Sequence, residues 1–161
     1  MYEFDETRTA KLDALRDEGI TPYPHGLKTT HTATEILSLM GDRDSETLGA
    51  DETVVTFAGR VMGKREMGKA GFATLMDRTE RLQVYVRQNK VGPGFAVWKK
   101  LDLGDHLLVT GTFMRTHTGE PTIFATHIQL ASKCISSLPD KWKGVSDGQL
   151  RARQRYLDLF M

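Results

Sequence analysis

A strict alternation over residues 81–87 constrains the fold of this chain more than any other feature. Leu82, Val84 and Val86 alternate with polar or amphipathic residues at positions 81, 83, 85 and 87. A period of two predicts a β-strand with one face buried and the other face in water. The preceding segment, Phe72–Asp77, also suits a strand, and Asp77–Arg81 is short enough to join the two as a hairpin.

The hairpin directs two side chains toward solvent, where they could contact a ligand. If the apolar positions of the alternating strand point inward, Gln83 points outward. On the neighbouring strand Ala73 and Leu75 form the natural inward pair, which sends Phe72 outward. An outward Phe72 has two interpretations: a single exposed apolar side chain, which is common on protein surfaces, or a platform for a stacked base. Periodicity alone leaves both open.

The order of the elements predicts an all-β core with peripheral helices, namely an OB-fold, which is a five-stranded Greek-key barrel. The strands are expected at Thr53–Met62, Phe72–Asp77, Arg81–Arg87, His106–Phe113 and Thr122–Leu130, with a helix at Phe95–Leu101 that plugs a barrel end. Gly59 predicts a bend or bulge in the first strand. Phe124, Ile128 and Leu130 are expected on one side of the fifth strand.

Two helices are predicted before the barrel, in a lead-in that covers residues 1–52. Residues 5–18 suit a helix with a narrow apolar stripe, which is expected to dock on the barrel. Residues 32–35 match a capping box ahead of a second helix that stops at Gly41. Residues 41–52 suit an acidic surface loop. Arg8 and Lys11 are expected to be solvated charges, with phosphate contacts as the alternative.

Composition excludes several classes of protein. The single Cys134 rules out a disulfide framework and a multi-thiolate zinc site within the chain, and it fits a reducing compartment. No apolar run approaches the length of a membrane span, and the charged N-terminus lacks the apolar core of a signal peptide. These features predict a cytoplasmic protein. The 22 basic and 21 acidic residues give a net charge of +1, which argues neither for nor against nucleic acid.

Apparent catalytic and metal motifs are weak. Gly63–Lys69 matches the first seven positions of a phosphate-binding P-loop, but Ala70 replaces the Ser or Thr that binds magnesium, and a strand rather than a helix is expected next. As a basic hairpin, this segment would present Lys64, Arg65 and Lys69 to phosphates, or simply be solvated. The histidines at 106, 117 and 127 match no metal-ligand spacing. No catalytic residue, metal site or cofactor is therefore expected in this chain.

Several segments resemble the N-terminal part of class II lysyl-tRNA synthetases. The segments are Gly59–Arg60, Arg65–Phe72, Arg81–Val86, Leu101–Asp105, Arg115–Glu120 and Arg151–Leu159. The resemblance extends over nearly the whole chain, from Arg8 to Phe160. The barrel segments also resemble those of aspartyl and asparaginyl relatives. The Arg-Thr-His-Thr-Gly-Glu and Arg-Gln-Arg-Tyr-Leu-Asp-Leu sequences look specifically lysyl-like.

The resemblance implies a function and a binding site. Residues 53–133 would be the anticodon-binding domain, and residues 134–161 the linker and the start of a catalytic domain. That missing domain joins lysine to tRNA(Lys) with ATP and Mg²⁺, and none of its three class motifs is complete here. In the family, a Phe on strand two stacks on the central anticodon uridine, and a Gln, a Glu and an Arg belong to the same site. The matching residues are Phe72, Gln83, Glu120 and Arg60. The family also implies a homodimer.

Departures from the family pattern and two rival functions remain. Gly71 replaces a small polar residue, Thr79–Glu80 replaces a glycine-rich turn, and Pro121 removes a backbone donor beside Glu120. One rival is a free-standing module that binds single-stranded nucleic acid, and the other is a barrel that mainly supports dimerisation. The start of a further helix favours anticodon recognition over the first rival. The outward aromatic ring and amide favour it over the second.

Overall fold

Five strands pair edge to edge into one closed barrel. The computed structural model describes residues 4–137, together with 152, 153, 155 and 156. The strands are β1 (Val55–Met67), β2 (Ala70–Met76), β3 (Arg81–Arg87), β4 (His106–Arg115) and β5 (Pro121–Ser132). They follow the order β1–β2–β3–β5–β4, and β4 pairs with β1 to close the ring. The β3–β5 pair is parallel, whereas the other pairs are antiparallel.

Short helices precede the barrel and connect β3 to β4. They are α1 (Glu6–Asp17), α2 (Ala33–Met40), α3 (Ser45–Gly49), α4 (Gln88–Val91) and α5 (Phe95–Lys100), with a 3₁₀ turn at Gly92–Gly94. The sequence of three strands, a helical connection and two strands is the predicted one. The predicted OB-fold, an all-β core with peripheral helices, is therefore confirmed.

The barrel interior is filled by the apolar positions that the alternation marked. Leu82, Val84 and Val86 of β3 are at most 2% exposed, and Ala73 and Leu75 of β2 are buried to the same degree. Trp98 of α5 is 1% exposed, so this helix does plug a barrel end. A fully buried aliphatic side chain contributes roughly 1.5–3 kcal/mol. A one-residue slip would expose the whole set, so burial fixes which side chains face out.

The first hairpin differs from the prediction. β1 continues to Met67, which pairs with Ala70, so that only Gly68 and Lys69 form the turn. Gly68 has a φ of 62°, which suits a two-residue hairpin turn. The predicted end of the first strand at Met62 is therefore wrong, and most of the predicted basic hairpin loop is strand. Polar residues at this exposed strand end conceal the alternation that would have revealed it.

The bulge in β1 was predicted at Gly59 but lies further along the strand. The register shifts between Val61 and Gly63. Gly59 itself sits in regular pairing, but a Cβ there would lie 3.0 Å from both the Leu75 Cβ and the Met76 carbonyl oxygen. This glycine therefore permits the close approach of β2 rather than a bulge.

Odd-numbered apolar residues are buried in the first half of β5, and even-numbered ones are buried in the second half. Ile123 and Ala125 are buried in the first half, and Ile128 and Leu130 in the second. The change of phase occurs at positions 126 and 127, which are both exposed, next to a register shift against β4. The prediction that Phe124 shares a side with Ile128 is wrong, because this irregularity turns Phe124 to the outer face.

The lead-in follows the predicted helices but adds one. The Asp5 side chain caps α1, and Thr32 with Glu35 forms the predicted capping box of α2, which ends at Gly41. Residues 41–52 were predicted to be a surface loop, but Ser45–Gly49 forms α3 with Leu48 fully buried. A single apolar residue among acidic neighbours gave no periodic signal for this helix.

The prediction that Arg8 and Lys11 are solvated is wrong. Arg8 Nη1 donates to the carbonyl oxygens of Leu103 at 2.8 Å and Cys134 at 3.2 Å. Lys11 Nζ pairs with Asp102 Oδ1 at 2.5 Å. Both side chains fasten α1 to the barrel, in agreement with the predicted docking of this helix. Because they are engaged in these contacts, they are not available to bind phosphates.

The predicted linker at 138–144 lies outside the described residues, as does most of the predicted helix at 146–159. Within that helix the four described positions, 152, 153, 155 and 156, are helical. Among the described helices, none combines the length and apolar character needed to cross a membrane.

Candidate nucleic-acid interface

An aromatic row crosses the outer face of β2, β3 and β5. Phe72, Tyr85 and Phe124 are paired neighbours in the sheet. Their rings stack, with centroids 4.7 Å apart for Phe72–Tyr85 and 5.6 Å apart for Tyr85–Phe124. The outward position predicted for Phe72 is confirmed, although Tyr85 covers one side of its ring. A ring held by its neighbours has little side-chain entropy left to lose when a base stacks on it.

A polar row runs beside the aromatic row. Thr74 pairs with Gln83, and Gln83 pairs with Thr122. The outward position of Gln83 is confirmed. The buried Thr122 hydroxyl donates to Gln83 Oε1 at 2.8 Å and lies 3.1 Å from the Glu120 carbonyl oxygen. Thr122 thus holds one end of the Gln83 amide and leaves the other end for a ligand.

The tip between β4 and β5 borders the polar row. Thr116 N donates to the Glu120 carbonyl oxygen at 3.0 Å, and Glu120 N donates to Thr116 Oγ1 at 3.0 Å. These bonds close the tip without an N–H at position 121, so Pro121 does not disturb its hydrogen bonding. The Arg115 guanidinium ties the tip to the lead-in through the carbonyl oxygens of Arg43 at 2.6 Å and Gly41 at 2.5 Å.

These parts enclose one open groove of about 590 Å³, hereafter the first groove. Phe72, Thr74 and Gln83 are among its sheet residues, and it is bordered by β1 and by the β4–β5 tip. The groove gathers most of the residues predicted for the anticodon site, namely Phe72, Gln83, Glu120, Lys64 and Arg65. Arg60 and Lys69 lie elsewhere.

Lys64 is engaged inside the protein rather than free at a hairpin tip. Its Nζ donates to the carbonyl oxygens of Trp98 at 2.7 Å and Leu101 at 3.2 Å, at the C-terminal end of α5. It also pairs with Glu66 Oε1 at 2.6 Å, and its side chain is only 13% exposed. The prediction that its ammonium projects freely is wrong, because carbonyl groups at a helix C-terminus attract a cation. Arg65, by contrast, is exposed.

Gly71 departs from the family pattern for a packing reason. A Cβ at this position would lie 2.5 Å from the Trp98 ring and 2.5 Å from the Arg65 carbonyl oxygen. Trp98 therefore fills the space that a side chain at position 71 would need. Lys64 lies above the same ring, with Nζ 5.0 Å from its centroid. The indole beneath β2 thus supports the wall of the first groove.

Lys69 lies in a second groove, on the other side of the aromatic row. This groove, also about 590 Å³, lies between the β1–β2 turn and the start of α4. Besides Lys69, its lining includes Tyr85 and Arg87. Lys69 and Arg87 are both exposed.

Arg60 lies toward the other end of the barrel. It pairs with Met76 in β2 and His106 in β4, and Met76 is four residues, or about 13 Å, along β2 from Phe72. Arg60 and His106 line a separate open groove of about 800 Å³. Burial lowers the pKa of His106, and the nearby positive charge of Arg60 lowers it further. The assignment of Arg60 to the anticodon site stays a prediction.

The local fold decides the P-loop alternative. Gly63–Lys69 belongs to a β-hairpin, and β2 follows instead of a helix, so the P-loop alternative fails on geometry. Among residues 4–137 and the four described later positions, no group of three His, Cys, Asp or Glu could hold a metal ion.

Sequence reasoning missed three residues of this surface: Tyr85, Phe124 and Thr122. Tyr85 shares the parity of Gln83, so the alternation already placed its ring on the outer face. Phe124 and Thr122 join the same face only through the parallel pairing of β3 with β5. That pairing joins residues about 39 positions apart, and no local pattern reports it.

Comparisons with known proteins give the family of the barrel and several relatives of the chain. A model of the tRNA anticodon-binding family, described as an OB-fold nucleic acid binding domain, matches residues 55–131. Lysine–tRNA ligase of Latilactobacillus sakei is 42% identical over 155 residues, covering 96% of this chain and 31% of that protein. The lysine–tRNA ligase of Enterococcus faecalis is 44% identical over 153 residues, covering 94% and 31%. That of Bacillus subtilis is 42% identical over 157 residues, covering 97% and 32%.

The chain therefore spans about a third of the length of the relatives it matches. The matched portion is their N-terminal part, and the family match starts and ends within β1 and β5. Residues 55–131 thus belong to the OB-fold family of tRNA anticodon-binding domains, and the chain as a whole is similar to the N-terminal part of lysine–tRNA ligases.

Proposed function

We propose that the first groove binds the anticodon loop of tRNA(Lys), with the central base stacked on Phe72 and its polar edge facing Gln83. The observation that carries this proposal is the convergence of Phe72, Gln83 and Glu120 on one groove. Stacking on an aromatic ring accepts any base. The Gln83 amide supplies the choice between bases, because a wrong base leaves buried polar groups unpaired.

The proposal extends to the longer protein that the relatives represent. Such a protein would ligate lysine to tRNA(Lys) with ATP and Mg²⁺ in a catalytic domain that follows this one, and it would act as a homodimer. The chain itself would contribute recognition and no chemistry. We expect no ATP–pyrophosphate exchange with lysine from the 161-residue chain, and aminoacylation of tRNA(Lys) from the full-length protein.

Titration of an anticodon stem-loop tests the binding proposal. Phe72→Ala should weaken binding by about 1–3 kcal/mol, the usual worth of one base–aromatic stack. The matched control is Phe4→Ala, because Phe4 is a 59% exposed aromatic residue on the lead-in, outside both grooves. Fluorescence anisotropy with a labelled stem-loop gives the affinities.

Thermal unfolding separates a binding role from a packing role. If Phe72 acts mainly in the core, Phe72→Ala should cost roughly 3–5 kcal/mol of stability. If it acts in stacking, most of the loss should appear in RNA binding. Equal affinity of wild type and Phe72→Ala for the stem-loop would refute the proposal.

A further inference from the structure

The groove of about 800 Å³ that contains Arg60, hereafter the Arg60 groove, is separate from the two grooves beside the aromatic row. Its floor comes from β1, β2, β4 and β5, and its walls come from residues 29–32 of the lead-in and from the residues after β2. Thr30 N donates to the Thr56 carbonyl oxygen at 2.8 Å, and Thr56 N donates to Thr30 Oγ1 at 2.8 Å, so the lead-in wall is fastened to β1. A cleft of this volume is large enough for a ligand the size of a nucleotide.

Two basic side chains lie next to each other on the floor of the Arg60 groove. Arg60 of β1 is paired directly with His106 of β4, and both line the groove. Like charges directly opposite each other on neighbouring strands destabilise a sheet. Burial lowers the pKa of His106 and the charge of Arg60 lowers it further, although Asp105, which pairs with Lys133, acts in the opposite direction. An anion between Arg60 and His106 would replace this repulsion with attraction and favour the protonated imidazole.

The walls of the groove add further hydrogen-bond donors. His31 lies on the lead-in wall, and its Nδ1 is 2.8 Å from Thr30 Oγ1, which holds the ring and leaves Nε2 for a ligand. Arg78 lies on the other wall and is exposed. Thr29 and Ser132 contribute hydroxyl groups to the lining. Arginine side chains and hydroxyl groups are the donors with which proteins commonly hold phosphate oxygens, and a protonated imidazole adds two more N–H groups.

The carboxylates at the groove are already engaged. Asp77 is the one carboxylate among the groove-lining residues that the structure describes. Its Oδ2 accepts from Ala33 N at 2.7 Å, and its Oδ1 accepts from Thr79 N at 2.7 Å. Asp77 therefore stabilises the local backbone. The lining has two arginines against this one carboxylate, before either of its histidines is protonated.

We infer that the Arg60 groove binds a phosphate group, held by the guanidinium groups of Arg60 and Arg78 and by the imidazoles of His31 and His106. A guanidinium presents paired N–H groups that match two phosphate oxygens, and it stays charged at every physiological pH. Such a group is carried both by free oligophosphates and by the backbone of RNA. The site is independent of the anticodon proposal, because Phe72 lies in the first groove.

Titration of the chain with inorganic tripolyphosphate tests the inference. Isothermal titration calorimetry at physiological ionic strength should show a single site with a Kd below about 1 mM. Arg78→Gln should weaken this binding about tenfold, because it removes a charge-assisted contact to phosphate. The matched control is Lys99→Gln, which removes the same charge from an exposed position on α5 outside the groove and should leave the affinity unchanged. Both variants should unfold thermally like wild type, because both side chains are exposed.

The pH dependence of tripolyphosphate binding reports on the floor of the groove. Because a bound anion favours protonated His106, the affinity should rise between about pH 8 and pH 6 more steeply for wild type than for His106→Gln. Ionisation of the ligand affects both proteins equally, so the difference between the two profiles belongs to the imidazole. Parallel profiles would overturn the role of His106 in the site.

Titration with the anticodon stem-loop distinguishes the two sources of phosphate. If the groove takes an RNA phosphate, Arg78→Gln should also weaken stem-loop binding and reduce its log–log salt slope by about 0.7. If the groove takes a free oligophosphate, only tripolyphosphate binding should respond to Arg78→Gln. Equal affinities of Arg78→Gln and Lys99→Gln in both titrations would overturn the inference. Phe72→Ala should leave tripolyphosphate binding unchanged, so a failure of the anticodon proposal is seen separately.

Discussion

Charged side chains in two regions of the molecule are held in opposite ways. Next to the start of β4 and the end of β5, the fully buried Lys133 ammonium pairs with Asp102 and Asp105, both at 2.7 Å. Lys11 completes this network on Asp102. Burial alone would raise the pKa of Asp102, but hydrogen bonds from Lys11 and Lys133 outweigh it and lower the pKa. Around the first and second grooves, by contrast, Arg65, Lys69 and Arg87 are exposed.

The comparison shows that the net charge of a chain does not reveal how its individual charged residues are held. Charges in the network are desolvated, so each needs its partners to remain buried. Charges around the grooves keep their water, and phosphates can replace that water and the accompanying counterions. A chain with a net charge of +1 can therefore have exposed basic residues around the grooves, because some of its carboxylates are held in the buried network.

The largest expected effect lies in the buried network. Asp105 accepts hydrogen bonds from Asp102 N at 2.8 Å, Lys133 Nζ at 2.7 Å and Cys134 N at 2.7 Å. Asp105→Asn should lower the free energy of unfolding by about 3 kcal/mol or more, because it leaves a buried cation short of a partner. Urea denaturation measures the loss.

An exposed ion pair provides the control for Asp105→Asn. Asp13 and Arg16 pair at 3.5 Å with side chains 64% and 55% exposed, and Asp13→Asn should change stability by at most about 1 kcal/mol. Where Asp105→Asn remains folded, its affinity for the stem-loop should equal that of wild type. A lowered affinity would mean that the buried network and the grooves are coupled.

A smaller effect is expected at the polar row. Thr122→Val keeps the side-chain shape but frees the Gln83 amide, so the preference for U over C at the central position should fall about tenfold, or 1.4 kcal/mol. Thr110→Val is the matched control, since the Thr110 hydroxyl bonds to Thr56 Oγ1 at 2.8 Å, away from the grooves. Titration with both stem-loops gives the ratio; an unchanged preference would show that Thr122 does not position the amide.

The salt dependence of binding distinguishes the two kinds of basic residue. Arg65→Gln should reduce the log–log slope of affinity against salt by about 0.7, the value for one phosphate contact in a single strand. Lys11→Gln should leave the slope unchanged and instead lower stability, because Lys11 is paired with Asp102. Equal slopes for Arg65→Gln and wild type would remove Arg65 from the phosphate contacts.

The smallest effect concerns pH. Burial, followed by the charge of Arg60, lowers the pKa of His106 in the folded state, so the unfolded chain takes up this proton first. The contribution of neutral His106 to stability is fully present above about pH 6.5, the ordinary histidine pKa, and is lost on acidification below it. His106→Gln should flatten the dependence of the unfolding free energy on pH in that range. His117, exposed at the β4–β5 tip, provides the control as His117→Gln.

The alternation of apolar and polar residues was sufficient to predict most of the fold and part of the candidate site. It placed Phe72 and Gln83 outward because burial of their neighbours is a local, periodic property. It could not reveal the fate of Lys64, since the carbonyl groups that bind this lysine belong to α5, more than 30 residues along the chain. Arg8 and Lys11 were misassigned for the same reason, because their partners lie on distant loops.

The aromatic row shows the same limit in another form. Phe124 is an ordinary strand residue in the sequence, and it joins the aromatic row only when β5 adds beside β3 in parallel. Phe124 reaches the outer face because the strand changes phase at positions 126 and 127. Irregular pairing of this kind depends on the closure of the whole barrel, and no window of sequence contains it.

The anchoring of the β4–β5 tip gives the lead-in a mechanical role. Arg115 fastens the tip to the carbonyl groups of Gly41 and Arg43, so the rim of the first groove leans on a segment that contributes none of that groove's lining. A domain trimmed to the barrel alone would retain those lining residues and lose this brace. The β4–β5 tip would then be more mobile, and RNA binding would have to offset the conformational entropy lost when the tip becomes ordered. The segment before the barrel thus helps to hold the β4–β5 tip in place and so to maintain the width of the first groove.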